Sequence, residues 1–269
     1  MKLRLFTGAD TAQAIAAARA ALGPEALVLD RRRVHGGVEI TAALERDGVD
    51  APEDDTPSEL LARHGVPAPL AGILTTSPLA LPSRLRFGAL PEGSLMLVGP
   101  PGGGKTLAAI RLAMAAVLAG HTPRVASADT RRAGGELAAL LAVLGLTAHQ
   151  DPATAGIIDT AGIDIFDQAS HAELPEARAT RVLVLPADLD AASAGETARS
   201  WKAWGCTHLI ATRLDLAPRM GALLAAADTG LVLTLASLSP ATGAALEPLT
   251  AGFLARRLAR APTRRHQDA

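Results

Sequence analysis

Short apolar runs recur along this chain, separated by longer stretches in which apolar positions return every three or four residues. The runs lie at 94–98, 124–128, 155–158, 181–185, 207–212 and 231–235. They do not alternate with polar residues, as expected of strands buried on both faces. Between them, 105–119, 132–144, 191–204 and 217–227 carry helical periodicity, and a last helix is expected from about 243 to 259. Strands alternating with helices predict an α/β fold, a mostly parallel sheet covered by helices on both faces. Ligands of such sheets bind at the carboxyl ends of the strands.

The first 46 residues follow another pattern. Leu3–Phe6 reads as a strand, Asp10 can cap a helix ending near Leu22, and Gly23-Pro24 stops it. Ala26–Leu29 is a second strand, and Gly36-Gly37 turns into Val38–Ala42, whose alternation suits a strand with one wet face. Residues 1–46 are therefore expected to form a small β-α-β-β domain. Residues 47–57 are acidic and proline-bearing, which reads as a linker. Residues 58–92 form a short helical region, with helices expected at Ser58–His64 and Pro67–Leu74. The main domain spans 93–262, and 263–269 is a basic, polar tail.

Composition narrows the class. With 269 residues, 49% hydrophobic, 20% charged and a net charge of −1, the chain can bury a sizeable core and carries no strong basic field. Nucleic acid is not expected as a partner. Cys206 is the single cysteine, which excludes an internal disulfide or a multi-cysteine zinc site and suits a reducing, cytoplasmic compartment. Asp10 interrupts the N-terminus too early for a signal peptide, and Arg111 or Gly145 breaks the longest apolar stretches.

The chemistry centres on Gly99-Pro100-Pro101-Gly102-Gly103-Gly104-Lys105-Thr106, a fit to G-x-x-x-x-G-K-[ST]. An apolar strand precedes it and an Ala/Leu-rich helix follows, the context that marks a phosphate-binding loop (P-loop). Successive backbone N–H groups and the helix dipole would face the phosphates, and glycine lets the backbone approach. Lys105 would reach the β- and γ-phosphates, and the Thr106 hydroxyl would ligate Mg²⁺. The competing explanation is a glycine-rich turn with no ligand.

Three further motifs follow strands. Asp129-Thr130-Arg131-Arg132-Ala133-Gly134-Gly135 comes first, then Asp159-Thr160-Ala161-Gly162, then Thr212-Arg213-Leu214-Asp215. Asp159 is placed to hold Mg²⁺ through water, or else to cap a helix. The Gly162 N–H is placed to meet a γ-phosphate. The Asp215 carboxylate can accept from guanine's N1–H and amino group together, whereas adenine would leave it unpaired. Its alternative role is to cap the helix containing Pro218.

These four motifs, in this order, resemble those of the signal-recognition-particle (SRP) type GTPases, whose patterns are GPTGVGKT, DTYR or DTFR, DTAG and TKLD. Residues 1–43, with Phe6, ALGPEALVL and GGVEI, look like the opening domain of that family's flagellar branch. The resemblance implies a P-loop GTPase domain that uses GTP and Mg²⁺ and regulates flagellar position and number. It implies a GTP-dependent homodimer and a partner ATPase resembling MinD. It also implies basal-body components as partners and peripheral contact with the inner face of the cell membrane near the flagellar pole. Asp129 matches the residue that orients the attacking water, and Arg132 the arginine that contacts phosphate. Gly99, Gly102, Gly103, Gly104, Lys105, Thr106 and Gly162 match phosphate-binding positions. Asp159 joins Thr106 at the metal, and Thr212, Arg213 and Asp215 match the guanine-binding segment.

The chain departs from the pattern in several places. Ile163 stands where the family has Arg or Lys, Arg131 replaces an aromatic, and Arg213 replaces Lys. The segment before 155–158 is short, and Ser239–Gly243 only loosely resembles the family's closing loop. Binding of GTP with weak intrinsic hydrolysis is therefore expected. A non-hydrolysing nucleotide-binding scaffold and an ATP-using P-loop protein stay open as alternatives. The seven histidines show no metal spacing and read as surface or turn residues, while Trp201 and Trp204 read as one packing stripe. Asp167-Gln168-Ala169 matches part of the partner ATPase's activating motif and reads as coincidence. The arginines of the tail read as a solvated helix end.

Overall fold

Two compact units, 1–51 and 52–269, divide the chain. The computed structural model describes residues 2–8, 10–22, 26–34, 37–44, 56–76, 84–129, 135–164, 174–175 and 177–262. The glycine turn at 23–24, most of the proposed linker, Thr130–Gly134, Asp167–Ala169 and the tail lie outside the described residues.

In the first unit, β1 (Lys2–Gly8) leads to α1 (Thr11–Leu22), then β2 (Ala26–Val34) and β3 (Gly37–Leu44). Asp10 accepts from the Gln13 N–H at 2.8 Å, closing the helix start. The strands form an antiparallel sheet in the order β1-β3-β2. Ala14 and Ala18 of α1 pack on Val38 and Ile40 of β3, giving this unit a core of its own.

The second unit opens with α2 (Pro57–Arg63) and α3 (Ala68–Thr76). Thr56 and Pro57, read from sequence as the end of the linker, instead start α2. The Thr56 side chain accepts from the Glu59 N–H while Glu59 reaches back to the Thr56 N–H. Then come β4 (Arg86–Phe87), β5 (Leu95–Val98), α4 (Lys105–Leu118), β6 (Val125–Ser127), α5 (Gly135–Val143), β7 (Ile157–Asp159) and β8 (Thr180–Pro186). The chain ends through α6 (Ala191–Ala203), β9 (His208–Thr212), α7 (Gly221–Ala227), β10 (Val232–Ala236), β11 (Glu247–Pro248) and α8 (Ala251–Leu258).

The eight-stranded sheet has the order β11-β10-β9-β8-β5-β7-β6, with β4 also on β10. All pairings are parallel except β10 with β11. Strand order reverses at β5, where β6 and β7 lie to one side and β8 to β10 to the other. That reversal opens a crevice beyond the carboxyl end of β5, where the glycine loop begins.

Alternate residues of each strand serve opposite faces. Met96, Val98, Leu183 and Leu209 belong to a core shared with α2, α3, α6, α7 and α8. Leu95, Leu97, Val182 and Ile210 belong to the core shared with α4 and α5. Every residue of β5 is buried, as its uninterrupted apolar sequence requires.

Several expected elements shift. The helix expected at 217–227 begins only at Gly221, because the chain from Arg213 to Met220 turns around the Arg213 carbonyl and Leu214 donates to Ser237. The helix expected from 243 shortens to Ala251–Leu258, capped by Thr250, and β11 takes part of its place. Trp201 is fully buried but Trp204 is 37% exposed, so they do not form one packing stripe. His64 is not a surface residue, being 2% exposed in the turn after α2. Its Nε2 contacts the Arg260 carbonyl at 2.8 Å, and since a carbonyl only accepts, Nε2 carries the proton. Burial, the largest influence, holds the His64 pKa below its ordinary value. Cys206 is buried, and burial pushes its thiol up to about 12.

Candidate nucleotide site

Backbone geometry makes the glycine loop. Gly99 has φ +147°, and a Cβ there would lie 2.3 Å from the Val184 carbonyl oxygen, so only glycine lets the loop leave β5 beside β8. Gly104 begins α4 with φ +86° and no side chain capping the first turn. The orphan N–H groups of that turn are thus left to a ligand. Lys105 is 6% exposed, with Nζ donating to the carbonyls of Gly99 at 3.2 Å and Pro100 at 2.9 Å. The loop itself holds the Lys105 ammonium in place.

Around the loop lies a cavity of about 330 Å³, walled by Pro101–Leu107, Asp129, Glu136 and Thr160–Gly162. Asp159 ends β7, 3% exposed, and accepts from the hydroxyl of the cavity's Thr106 at 2.7 Å. Its other oxygen, Oδ1, is buried with no hydrogen-bond partner. Burial pushes the Asp159 carboxyl up to about 6, against the lowering effects of the Thr106 hydroxyl and Lys105. Asp159 heads no helix, so its capping alternative drops out. Gly162 presses against the glycine loop: a Cβ would lie 2.5 Å from Pro101 Cα. Ile163 turns its side chain into the core and donates its N–H to the Gly99 carbonyl at 3.2 Å.

The cavity also contains Glu136, from the first turn of α5, which the sequence motifs did not single out. Asp129 reaches it from the loop after β6, its N–H donating to Ser127 Oγ at 3.1 Å. Arg132 lies outside the described residues.

Beyond Gly104 lies a second cavity of about 300 Å³, sharing Gly102, Gly104 and Leu107 with the first. Thr212, Arg213 and Asp215 line it together with Arg111, Ser237 and Ser239. The Thr212 hydroxyl donates to the Gly103 carbonyl at 2.7 Å, tying the end of β9 to the glycine loop. Arg213, at φ +57°, donates to the Gly102 carbonyl at 2.7 Å and pairs with Asp188 at 3.3 Å. Asp215 caps no helix, since α7 starts after Met220 without a side-chain cap.

Arg111 is the residue that motif reading missed. From the middle of α4, 2% exposed, it donates to Ser237 Oγ and, at 2.7 Å each, to the carbonyls of Ser239 and Ala241. Its signal in the sequence is a lone charge inside an otherwise apolar helix interior.

A strand–glycine loop–helix unit at the switch point of a parallel sheet, beside a second, carboxylate-bearing cavity, is the arrangement of a P-loop fold. Similar solved structures narrow the fold to that of the SRP-type GTPases. They include FlhF complexed with GTP and Mg²⁺ (TM-score 0.64, 16% identity, 76% of this chain, 98% of that one). FtsY from Thermotoga maritima matches with a TM-score of 0.58 at 22% identity, over 76% of this chain and 86% of that one. FtsY from Elizabethkingia anophelis, with GDP, matches with a TM-score of 0.62 at 19% identity, over 76% and 84%. By sequence, the chain is 43% identical over 58 residues to the flagellar biosynthesis protein FlhF of Pseudomonas aeruginosa. That match spans 22% of this chain and 14% of the relative. No family model matches.

Proposed function

We propose that this chain binds GTP with Mg²⁺ and acts as an SRP-type GTPase of the FlhF kind, regulating flagellar placement, number or assembly. The observation that carries the nucleotide assignment is the joining of two cavities at Gly102 and Gly104. One is lined by the glycine loop, Lys105 and Thr106, whose hydroxyl donates to Asp159, and the other by Asp215. Phosphate falls to the first and the base to the second. Among the described residues no cluster of three His, Cys, Asp or Glu could hold a metal alone. Mg²⁺ keeps waters and takes few protein ligands beside phosphate oxygens. Thr106 would hold it directly and Asp159 through water, its unpartnered Oδ1 offering the acceptor. An ion held by these residues would supply neutralisation of phosphate charge.

By the family resemblance, Asp129 orients the attacking water and Arg132 contacts phosphate. Gly162 offers its N–H to the γ-phosphate, and Thr212, Arg213 and Asp215 hold guanine. Intrinsic hydrolysis is weak, since Ile163 gives the phosphate cavity no cation. Ile163's buried side chain also supports the second reading, a nucleotide-binding scaffold without turnover. A GTP-dependent homodimer, a MinD-like activator, basal-body partners and peripheral membrane contact complete the proposal. They rest on the resemblance. Among the described residues no helix is long and apolar enough to cross a membrane.

Titration of nucleotide-stripped protein with ribose-labelled fluorescent GTP, ATP and XTP tests the assignment. GTP is expected to bind in preference to ATP, and Lys105→Ala to abolish binding. Asp215→Asn should exchange GTP for XTP, because an amide N–H can donate to the carbonyl that xanthine carries at C2. Equal affinity for ATP and GTP would overturn the guanine assignment.

A further inference from the structure

A buried guanidinium is costly to keep. Arg111 is buried within α4, one turn after the buried Ala108, where an apolar side chain would avoid desolvating a charge. Burial, the first influence, lowers its pKa, and the Asp215 charge offsets part of that. Its hydrogen bonds do not serve the core. All three go to one loop, to Ser237 Oγ and the carbonyls of Ser239 and Ala241. Nε is buried on the same side chain with no partner.

The loop's backbone is otherwise tied at its two ends: Ser237 donates its N–H to the Ala211 carbonyl and accepts from the Leu214 N–H, and the Ala241 carbonyl accepts from the Ala244 N–H. Between them, the Ser237 hydroxyl reaches the Ser239 carbonyl at 3.3 Å and the Ala241 N–H reaches Ser239 Oγ at 3.2 Å. Without Arg111, the carbonyls of Ser239 and Ala241 would lose their guanidinium donor. Ser237, Ser239 and Pro240 wall the cavity that holds Asp215.

Arg111 also lies seven residues beyond Gly104, about 10 Å along the helix axis. One rigid helix therefore presents phosphate donors at its start and a loop anchor two turns later. The planar, three-armed anchor suits two carbonyls and a hydroxyl better than a single ammonium would.

We infer that Arg111 is a specificity-positioning residue: it holds the 237–241 loop as a wall of the base cavity, so that preference for guanine over adenine depends on it. This rests on the proposed assignment of that cavity to the base. Arg111 acts through the loop and leaves the phosphate cradle alone. Its loss should relax base selection without weakening the hold on phosphate.

The test uses the full chain. Wild type, Arg111→Met, Arg111→Lys and Ser237→Ala are titrated with ribose-labelled fluorescent GTP and ATP, and the label is then displaced with inorganic tripolyphosphate. Arg111→Met is expected to lower the GTP-to-ATP affinity ratio about tenfold or more, with displacement by tripolyphosphate unchanged. Arg111→Lys should recover part of the ratio, and Ser237→Ala should lose about threefold. Ser237→Ala, a small change in a loop, carries the test if Arg111→Met does not fold. An unchanged ratio in the folded variants of a GTP-selective wild type overturns this inference alone. Equal weakening of GTP, ATP and tripolyphosphate also overturns it, since that marks a general packing role. A wild type without preference for GTP overturns the base assignment and this inference with it.

Discussion

Asp159 shows how a single carboxylate is prepared by burial. Its folded pKa of about 6 stands above the unfolded value near 3.8. The folded state therefore holds the proton more tightly, and the stability linked to it is fully present below about pH 4. It is lost as pH rises through about 6. Asp159→Asn mimics the protonated form. It should stabilise the nucleotide-free protein at pH 8 by about 2–3 kcal/mol, with the gain vanishing near pH 4, as read by denaturant melts across that range. No such convergence at low pH would show that the carboxylate is not penalised by burial. Ile163 carries the complementary lesson. Its side chain belongs to the core, so a cation substituted there would be buried among apolar residues rather than added to the cavity around the glycine loop.

At the scale of elements, the turn after α2 meets the start of α7 with no room to spare. The Gly221 N–H donates to the His64 carbonyl at 2.9 Å, and a Cβ on Gly221 would lie 2.2 Å from the Gly65 carbonyl oxygen. Gly221→Ala should destabilise the fold by about 2–3 kcal/mol or separate the two elements. Gly65→Ala meets nothing within 4 Å but must hold φ +67°, and should cost about 1 kcal/mol. Denaturant melts of both variants check the order, and equal effects would refute the close packing. This contact also explains why α7 starts late. Arg213, Asp215 and Leu216 line the second cavity and Leu214 donates to Ser237, which delays helical hydrogen bonding until Gly221.

At the scale of the molecule, each unit has its own core, Ala14, Ala18, Val38 and Ile40 in the first and the two faces of the large sheet in the second. Every described residue of the two cavities lies in the second unit. A chain of residues 52–269 is therefore expected to fold and to bind GTP within about twofold of the full-length affinity. Fluorescent-GTP titration and a cooperative thermal melt test this. Loss of folding would show that the units depend on one another.

The sequence by itself determined the alternation of strands and helices, because unbroken apolar runs and helical periodicity are local properties of the chain. It also determined the glycine loop, whose residue types follow from the backbone angles and close approaches they permit. Asp159 and Asp215 were legible as candidates because each follows an apolar strand. Which alternative role each could keep was decided only by tertiary structure. The Asp159–Thr106 hydrogen bond joins residues 53 positions apart, and Asp215 lost its capping role once Ser237 drew Leu214 out of helical register. Arg111 was visible only as an interruption in an apolar helix, since its three acceptors lie more than 120 residues away. The inward turn of Ile163 and the burial of His64 belong to the same class. Each depends on partners distant in sequence, which local pattern cannot specify.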